Sequence, residues 1–383
     1  MLNAGKTHLV EAFRWSAQTR AETAETIAAG LGMSAPVLLG AVTGHLNAGL
    51  AATLGGMAVS GVGIRSNMMA QAKSELAALA PATLASFVAV LIRGHAWLTV
   101  LMLVLLPGIA AIIGGYSRFA VKVTKRFILF LTIVTTLVSP TSSLQGSHPV
   151  GLLLLVMSGA LWTSGLNQFA GALARRRPSF VSSIADESPA SATPSQKFRR
   201  WRRSLAHLAG WQYTLRLVLG LSGAEVLRCQ WPNHHLHWIA LTVAILTPKT
   251  IEAVPVKITQ RALGTAIGVC AASMFMAFEF PPWALVVTIG VLAGARPLLK
   301  AKNYLAYSVI MTPLIILIMD AGHPPDNHLL VERLVSTLIG AMLVVIANLL
   351  FLKLTQVSRT SELPTSLTDR TLSREIQSYV GQA

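Results

Sequence analysis

Positive charge in this chain falls in every second connection between its apolar runs, and that alternation constrains the fold more than any motif does. Residues 1–30, 64–76, 115–127, 172–212, 249–261, 295–303 and the stretch from Lys353 onward hold 27 of the 31 lysines and arginines. The connections between them, near residues 46, 93–96, 140–149, 228–236, 279–282 and 320–333, hold Arg93, Arg228 and Arg333; the remaining cation, Arg216, sits inside an apolar run. Short loops rich in Lys and Arg stay on the cytoplasmic side when a chain is inserted into a bilayer. The pattern therefore predicts an all-α, polytopic chain. It crosses a membrane an even number of times, about twelve by this partition, with both ends cytoplasmic.

The bulk composition agrees. Mean hydropathy is +0.59 and only 12% of residues are charged, about half the share found in soluble domains. Trp97–Gly115, Pro149–Leu173, Trp283–Leu299 and Leu334–Leu354 are long enough to cross about 30 Å of hydrocarbon, whereas Leu50–Ile64 and His237–Thr247 read as short. A net charge of +16 would suggest nucleic acid in a soluble protein, but here no nucleic-acid motif or continuous basic face accompanies it. The cations instead flank apolar runs, where they orient helices and meet anionic headgroups. Residues 1–30 do not read as a cleaved signal peptide, because Arg14, Arg20, Glu22 and Glu25 precede the first apolar run.

The basic stretch 172–212 divides the chain. Residues 1–178 form a first six-helix half with an N-terminal amphipathic segment, 179–204 a basic cytoplasmic linker, 205–356 a second six-helix half and 357–383 a cytoplasmic tail. Lys197-Phe198-Arg199-Arg200-Trp201-Arg202-Arg203 reads as a helix lying in the membrane interface. The halves share spacings: Trp97 to Gly108 matches Trp283 to Gly294, and Gly159-Ala160 to Asn167 matches Gly340-Ala341 to Asn348. Six spans per half would make the two repeats parallel, related by an axis along the membrane normal.

Ionisable residues inside spans mark pathways or pairs, because a charge at mid-membrane costs about 2.5–3.5 kcal/mol on insertion scales. They concentrate in the second half: Arg216, Glu225, Lys249, Glu279, Arg296 and Asp320. Arg216 lies near a cytoplasmic helix end, where it could snorkel to the headgroups. Glu225 has Arg228 three residues on, within reach of a local ion pair. Nine residues separate Arg216 from Glu225, which puts them on opposite faces of one helix. Lys249 follows Pro248, and Arg296 precedes Pro297; each is either a topological anchor or part of a mouth attractive to anions. Asp320 and Glu279 end spans on the outer side, as caps or as proton acceptors. Thr312-Pro313, Pro107-Gly108 and Pro36 read as kinks, which suit either cavity lining or packing. His234, His235 and His237 cluster without an acidic or cysteine partner, so no metal site is expected. Cys229 and Cys270 give no disulfide framework, and no cofactor or enzyme motif is present.

One stretch is distinctive. His237-Trp238-Ile239-Ala240-Leu241-Thr242-Val243 runs on to Thr247-Pro248, and is followed by Arg261-Ala262-Leu263-Gly264-Thr265-Ala266-Ile267-Gly268. It resembles the fusaric acid resistance (FUSC) or aromatic acid exporter family, in which a Trp-containing span ends in proline and an Arg-x-x-Gly-Thr-x-x-Gly segment starts the next. The resemblance spans roughly Leu205 to Leu354, with Trp238, Pro248, Arg261, Gly264, Thr265 and Gly268 as its motif; the first half has Leu79-Ala80-Pro81 at the equivalent point. Gly264, Thr265 and Gly268 would form a small face for close packing, with Arg261 structural at the helix start.

The resemblance implies proton-driven efflux of aromatic or other small organic acids across the bacterial inner (cytoplasmic) membrane. The implied partners are the organic anion, protons and the bilayer, and a homo-oligomer is compatible with the class. Many members carry a large soluble domain after each membrane half, whereas only the linker of residues 179–204 separates the halves here. A periplasmic adaptor therefore has little to dock on. An organic-anion channel and a non-transporting membrane component of an assembly system are the alternatives.

The alternation makes a direct prediction about topology. In a variant lacking native cysteines, Ser191→Cys and Ser366→Cys should resist an impermeant thiol reagent in intact cells, and Asp326→Cys should react. Strong labelling at 191 with none at 326 would reverse the orientation.

Overall fold

The computed structural model describes residues 15, 23–65, 67–137, 149–176, 193–231, 234, 236–248, 254–276, 278, 281–320 and 327–362. All secondary structure among the described residues is helical. The first half contributes α1 (Thr23–Val42), α2 (Leu46–Val59), α3 (Met68–Leu91), α4 (Ala96–Gly114), α5 (Arg118–Leu137) and α6 (Pro149–Arg175). After α7 (Pro194–Leu205), the second half contributes α8 (Leu208–Gln230), α9 (His237–Leu246), α10 (Val254–Met276), α11 (Pro282–Lys302), α12 (Tyr304–Asp320) and α13 (Asn327–Glu362). Lys249, Glu279, His235 and most of the 179–204 linker lie outside the described residues, as does the side chain of Asp320.

Among the described residues six helices (α1, α3, α4, α6, α11 and α13) are long and apolar enough to cross a membrane. Their exposed faces show what surrounds them. On α4, Leu101, Leu105, Ile109 and Ile113 recur every fourth residue and are all exposed. On α13, exposed Val331, Val335, Leu338, Met342, Val345, Leu349 and Leu352 alternate steps of four and three, while Arg333, Ser336, Thr337 and Asn348 are buried. Apolar outside and polar inside reverses the pattern of a soluble helix. The molecule is a multi-pass membrane protein.

Local chemistry sets the helix ends. Asn67 caps α3 by accepting from the Ala70 N–H at 2.6 Å. Thr193 and Gln196 form a capping box that starts α7. This helix buries no side chain; Trp201 instead donates its indole N–H to the Ile112 carbonyl at 3.0 Å and meets Tyr116 edge-on. Buried Asn303 accepts from the N–H groups of Leu305 and Ala306, which turns the chain sharply from α11 into α12.

Glycine brings backbones together where side chains would hold them apart. A Cβ on Gly159 of α6 would lie 1.8 Å from the Ala52 carbonyl oxygen of α2, and one on Gly55 of α2 would lie 1.7 Å from that of Val156. In the second half Gly340 of α13 sits against Thr242 and Ile239 of α9. Between halves, Gly294 of α11 faces Thr26 and Gly30 of α1, and Gly108 of α4 faces Val218 of α8. Gly108 and Gly294, and Gly159 and Gly340, the four glycines of the repeated spacings, thus form two pairs of like contacts.

The neighbour relations repeat as well. In the first half α1, α2 and α6 pack mutually, α3 packs on α5, α6 and α2, and α4 packs on α5. In the second half α8, α9 and α13 pack mutually, α10 packs on α12, α13 and α9, and α11 packs on α12. Across the boundary, α1 meets α11 as α8 meets α4, and α2 meets α12 as α9 meets α5.

Overpacking a tight contact costs about 1–3 kcal/mol and sometimes more. Gly159→Leu should therefore lower thermal stability in detergent by at least that amount. Gly165→Leu, on the same helix with no atom within 4 Å of its Cβ position, should leave it nearly unchanged.

Candidate functional site

The helices α2 and α9 are too short to cross a bilayer. Their 14 and 10 residues span roughly 21 and 15 Å at 1.5 Å per residue, against about 30 Å of hydrocarbon. Each ends where its last carbonyls have no helical partner, and bare carbonyls inside a membrane protein are costly. Each is met by a buried arginine.

At the end of α2 the chain turns through Ser60 and Gly61, whose φ of +84° suits glycine. The Arg296 guanidinium of α11 donates through Nη2 to the carbonyls of Met57 (3.1 Å) and Ser60. At the end of α9, Pro248 cannot continue the ladder, and its carbonyl accepts from Arg216 Nη2 at 2.9 Å. Arg216 also donates through Nη1 to Asn348 Oδ1 on α13 at 2.7 Å, and is 1% exposed. A planar cation with several donors suits a helix C-terminus, where carbonyl partial charges accumulate. Arg216 therefore does not snorkel, and it belongs to a different place from Glu225, as their spacing requires.

Glu225 sits at the other end of α8. It is 1% exposed and paired with Arg228 at 2.7 Å. The pair lines a cavity of about 640 Å³ between the halves, together with Arg93, Trp97, His234 and His237, and Thr132, Thr135 and Thr136 of α5. Each threonine hydroxyl bonds to a carbonyl three or four residues earlier, which leaves its oxygen lone pairs free.

Toward the opposite end of α5 the charge changes. Lys125 lies in Coulombic range of Lys257 on α10 and Lys300 on α11, and Arg126 in range of Arg296. Lys300 is also in range of Arg126, Lys122 and Glu25 of α1. Lys125, Leu129, Thr132 and Thr136 follow one another at helical spacing. One stripe of α5 therefore runs from this cationic cluster to the cavity, and Leu129 packs against both central hydrophobic clusters between them.

The Arg-x-x-Gly-Thr-x-x-Gly segment begins at Arg261 of α10 and seats that helix on α12. A Cβ on Gly264 would lie 2.5 Å from Ser308 Cβ, and one on Gly268 would lie 2.7 Å from Thr312 Cβ. Thr312, fully buried, bonds to the Ser308 carbonyl and serves this seam. Arg261 Nη1 reaches Ser308 Oγ at 3.4 Å, and Thr265 is 1% exposed. Lys257 stands 5.8 Å over the Tyr304 ring, which neighbours Tyr307. Trp238 of α9 is buried beneath the Arg333 guanidinium, 3.6 Å from its ring centroid.

Several residues read as parts of connections lie inside helices: Lys125 and Arg126 in α5, Lys257 and Arg261 in α10, and Arg296 and Lys300 in α11. Arg333 was placed in an outer connection but is buried in α13, because the helix starts earlier than its apolar run. Glu75 was assigned to the basic connection 64–76, yet α3 begins at Met68 and buries it to 3% exposure. Its partners, Gln71, Ser164 and Gln168, carry no signal in a hydropathy profile.

Residues 217–347 match the family model for fusaric acid resistance protein-like proteins. The matched stretch runs from within α8 to within α13 and contains Trp238, Pro248, Arg261, Gly264, Thr265 and Gly268, so the resemblance is borne out over the second half. No curated protein and no solved structure matches the chain.

Hydrogen bonds to a charged group contribute about 1.5–3 kcal/mol each. Arg296→Gln and Arg216→Gln should each lower stability by at least that amount, and Lys at either position should restore only part of it. Lys353→Gln, at an exposed site, should not. Thermal unfolding of the purified variants checks this.

Proposed function

We propose that the chain is a proton-driven secondary exporter of aromatic or other small organic acids in the bacterial inner membrane. It is built from two parallel six-helix repeats, α1–α6 and α8–α13, that supply twelve crossings with both ends cytoplasmic; in two of them the helix, α2 or α9, covers part of the bilayer and irregular chain completes the crossing. The family match and the apolar helices support membrane transport. The matching neighbour relations and the paired glycine contacts support the duplication. In parallel repeats two similar bundles can alternate about a shared site.

The observation that carries the reading is the stripe on α5. Cations at its inner end, Lys125 and Arg126 with Lys257 and Lys300, raise the local concentration of anions on the cytoplasmic side. In this reading Lys249 adds to that mouth. At the outer end three threonines and the Glu225–Arg228 pair form a cavity large enough for a single-ring acid. Leu129 lies between them on the same stripe of α5. Asp320, at the outer end of α12, belongs to the exit side. Arg216, Arg296 and Thr312 act indirectly, by fixing α9, α2 and α12.

The test uses labelled salicylate as an aromatic carboxylate probe. Energised inside-out vesicles should accumulate it, and a protonophore should abolish accumulation; accumulation that never exceeds equilibrium would favour a channel. Removing a charge from the inner cluster should cost about 1 kcal/mol of attraction, roughly a fivefold rise in half-saturating concentration. Lys125→Gln and Lys257→Gln should show that rise with little change in maximal rate. Unaltered concentration dependence in both would remove the inner mouth from the pathway.

A further inference from the structure

We propose that Glu75 is a proton-binding site, held in a seat that accommodates both the ionised and the protonated carboxyl group. The carboxylate lies on the second turn of α3 and is 3% exposed. Its Oε1 accepts from Gln71 Nε2 at 2.7 Å, and its Oε2 accepts from Ser164 Oγ at 2.5 Å and Gln168 Nε2 at 2.9 Å, both on α6. All three donors are neutral. Among the described residues no Lys, Arg or His comes within ion-pair distance of Glu75.

The charged groups on the surrounding helices are turned to other work. Lys73, on α3 itself, is exposed. On α6, Arg175 donates to the Arg65 carbonyl at 3.1 Å, while the Arg65 N–H donates to Gln71 Oε1 at 2.7 Å. On α5, Arg118 and Lys122 are exposed, and Lys125 and Arg126 face the cations of the second half. The remaining neighbour, α2, has no titratable residue. The ionised carboxylate is held by neutral donors alone, with no counter-charge to fix it in that state.

A protonated carboxyl needs an acceptor for its O–H, and one is at hand. Gln168 Oε1 is buried and without a hydrogen-bond partner. It belongs to the same amide whose Nε2 donates to Glu75, so a half-turn of that amide replaces a donor by an acceptor. The Ser164 hydroxyl can make the same exchange by rotating its hydrogen. The ionised state then uses three donors, and the protonated state uses Gln71 as donor and Gln168 as acceptor. Neither state leaves Gln168 Oε1 and the carboxyl hydrogen both unpaired.

The place of the seat gives protonation a mechanical address. The inner end of α3 holds Glu75, and its outer end, through Ala89 and Ile92, lines the cavity. A role for this proton in driving export rests on the proposed function; the binding of the proton does not.

Infrared difference spectra between mildly acidic and mildly alkaline buffer test the binding on protein reconstituted in liposomes. The carbonyl stretch of a protonated carboxyl should grow on acidification, vanish in Glu75→Gln and move in Glu75→Asp. Gln168→Leu, which removes the acceptor, should displace the midpoint of the band. A band unchanged in Glu75→Gln overturns the proposal. Should that variant not fold, an unmoved midpoint in Gln168→Leu does so equally. Coupling is read separately: Glu75→Gln should lose pH-gradient-driven accumulation of labelled salicylate while keeping its exchange at equilibrium. If the unaltered protein moves no salicylate at all, the transport reading fails while the infrared result stands.

Discussion

A backbone carbonyl has nowhere to turn in hydrocarbon, and much of this structure follows from where two helices break that rule. The ends of α2 and α9 leave carbonyls without helical partners, and two guanidinium groups, from α11 and α8, take them up. Arginine serves where lysine would not, because its planar fork reaches two acceptors at fixed angles and keeps its charge when buried. Arg296 reaches across the boundary between halves, so the end of α2 is completed only when the second half is in place. The bond from Arg216 to Asn348 fixes α8, α9 and α13 together in the same way within one half. Two of the charges that look intramembrane in the sequence, Arg216 and Arg296, are thus the means by which irregular backbone survives.

Much of the architecture was legible because it rests on periodicity and charge. The alternation of basic connections marked the helical segments, and the short apolar runs near residues 50 and 237 were already recognisable as short. The Trp97–Gly108 and Trp283–Gly294 spacings found matching contacts, since a glycine at a helix crossing has to recur at the same height. The Glu225–Arg228 pair needed only helix geometry. Partners distant in sequence were out of reach: nothing in the spacing joins Arg296 to Ser60 or Arg333 to Trp238. Glu75 was missed for a simpler reason. It stands beside Arg65 and Lys73 in sequence, and a hydropathy reading averages it into a cytoplasmic loop.

The two halves use one arrangement for different ends. Helices α3 and α10 have like neighbours, yet α10 meets α12 through Gly264 and Gly268, whereas α3 carries buried alanines, Ala78 and Ala82, at the same spacing. A Cβ at Gly264 or Gly268 would force Ser308 or Thr312 of α12 to move, which is what the Gly-Thr-x-x-Gly pattern avoids. The family match covers this second half.

The seam between α1 and α11 has a further property. Gly30, Gly290 and Gly294 put main chain almost directly on main chain, with Thr26 and Ser34 as the largest groups nearby. Interfaces built from interlocked side chains resist sliding, since each knob must leave its hole before the next position is reached. A contact of near-bare backbone has few such teeth. Here Met33 of α1, in contact with Arg296 of α11 across the same seam, supplies the tooth that the glycines lack and fixes the height of one helix against the other.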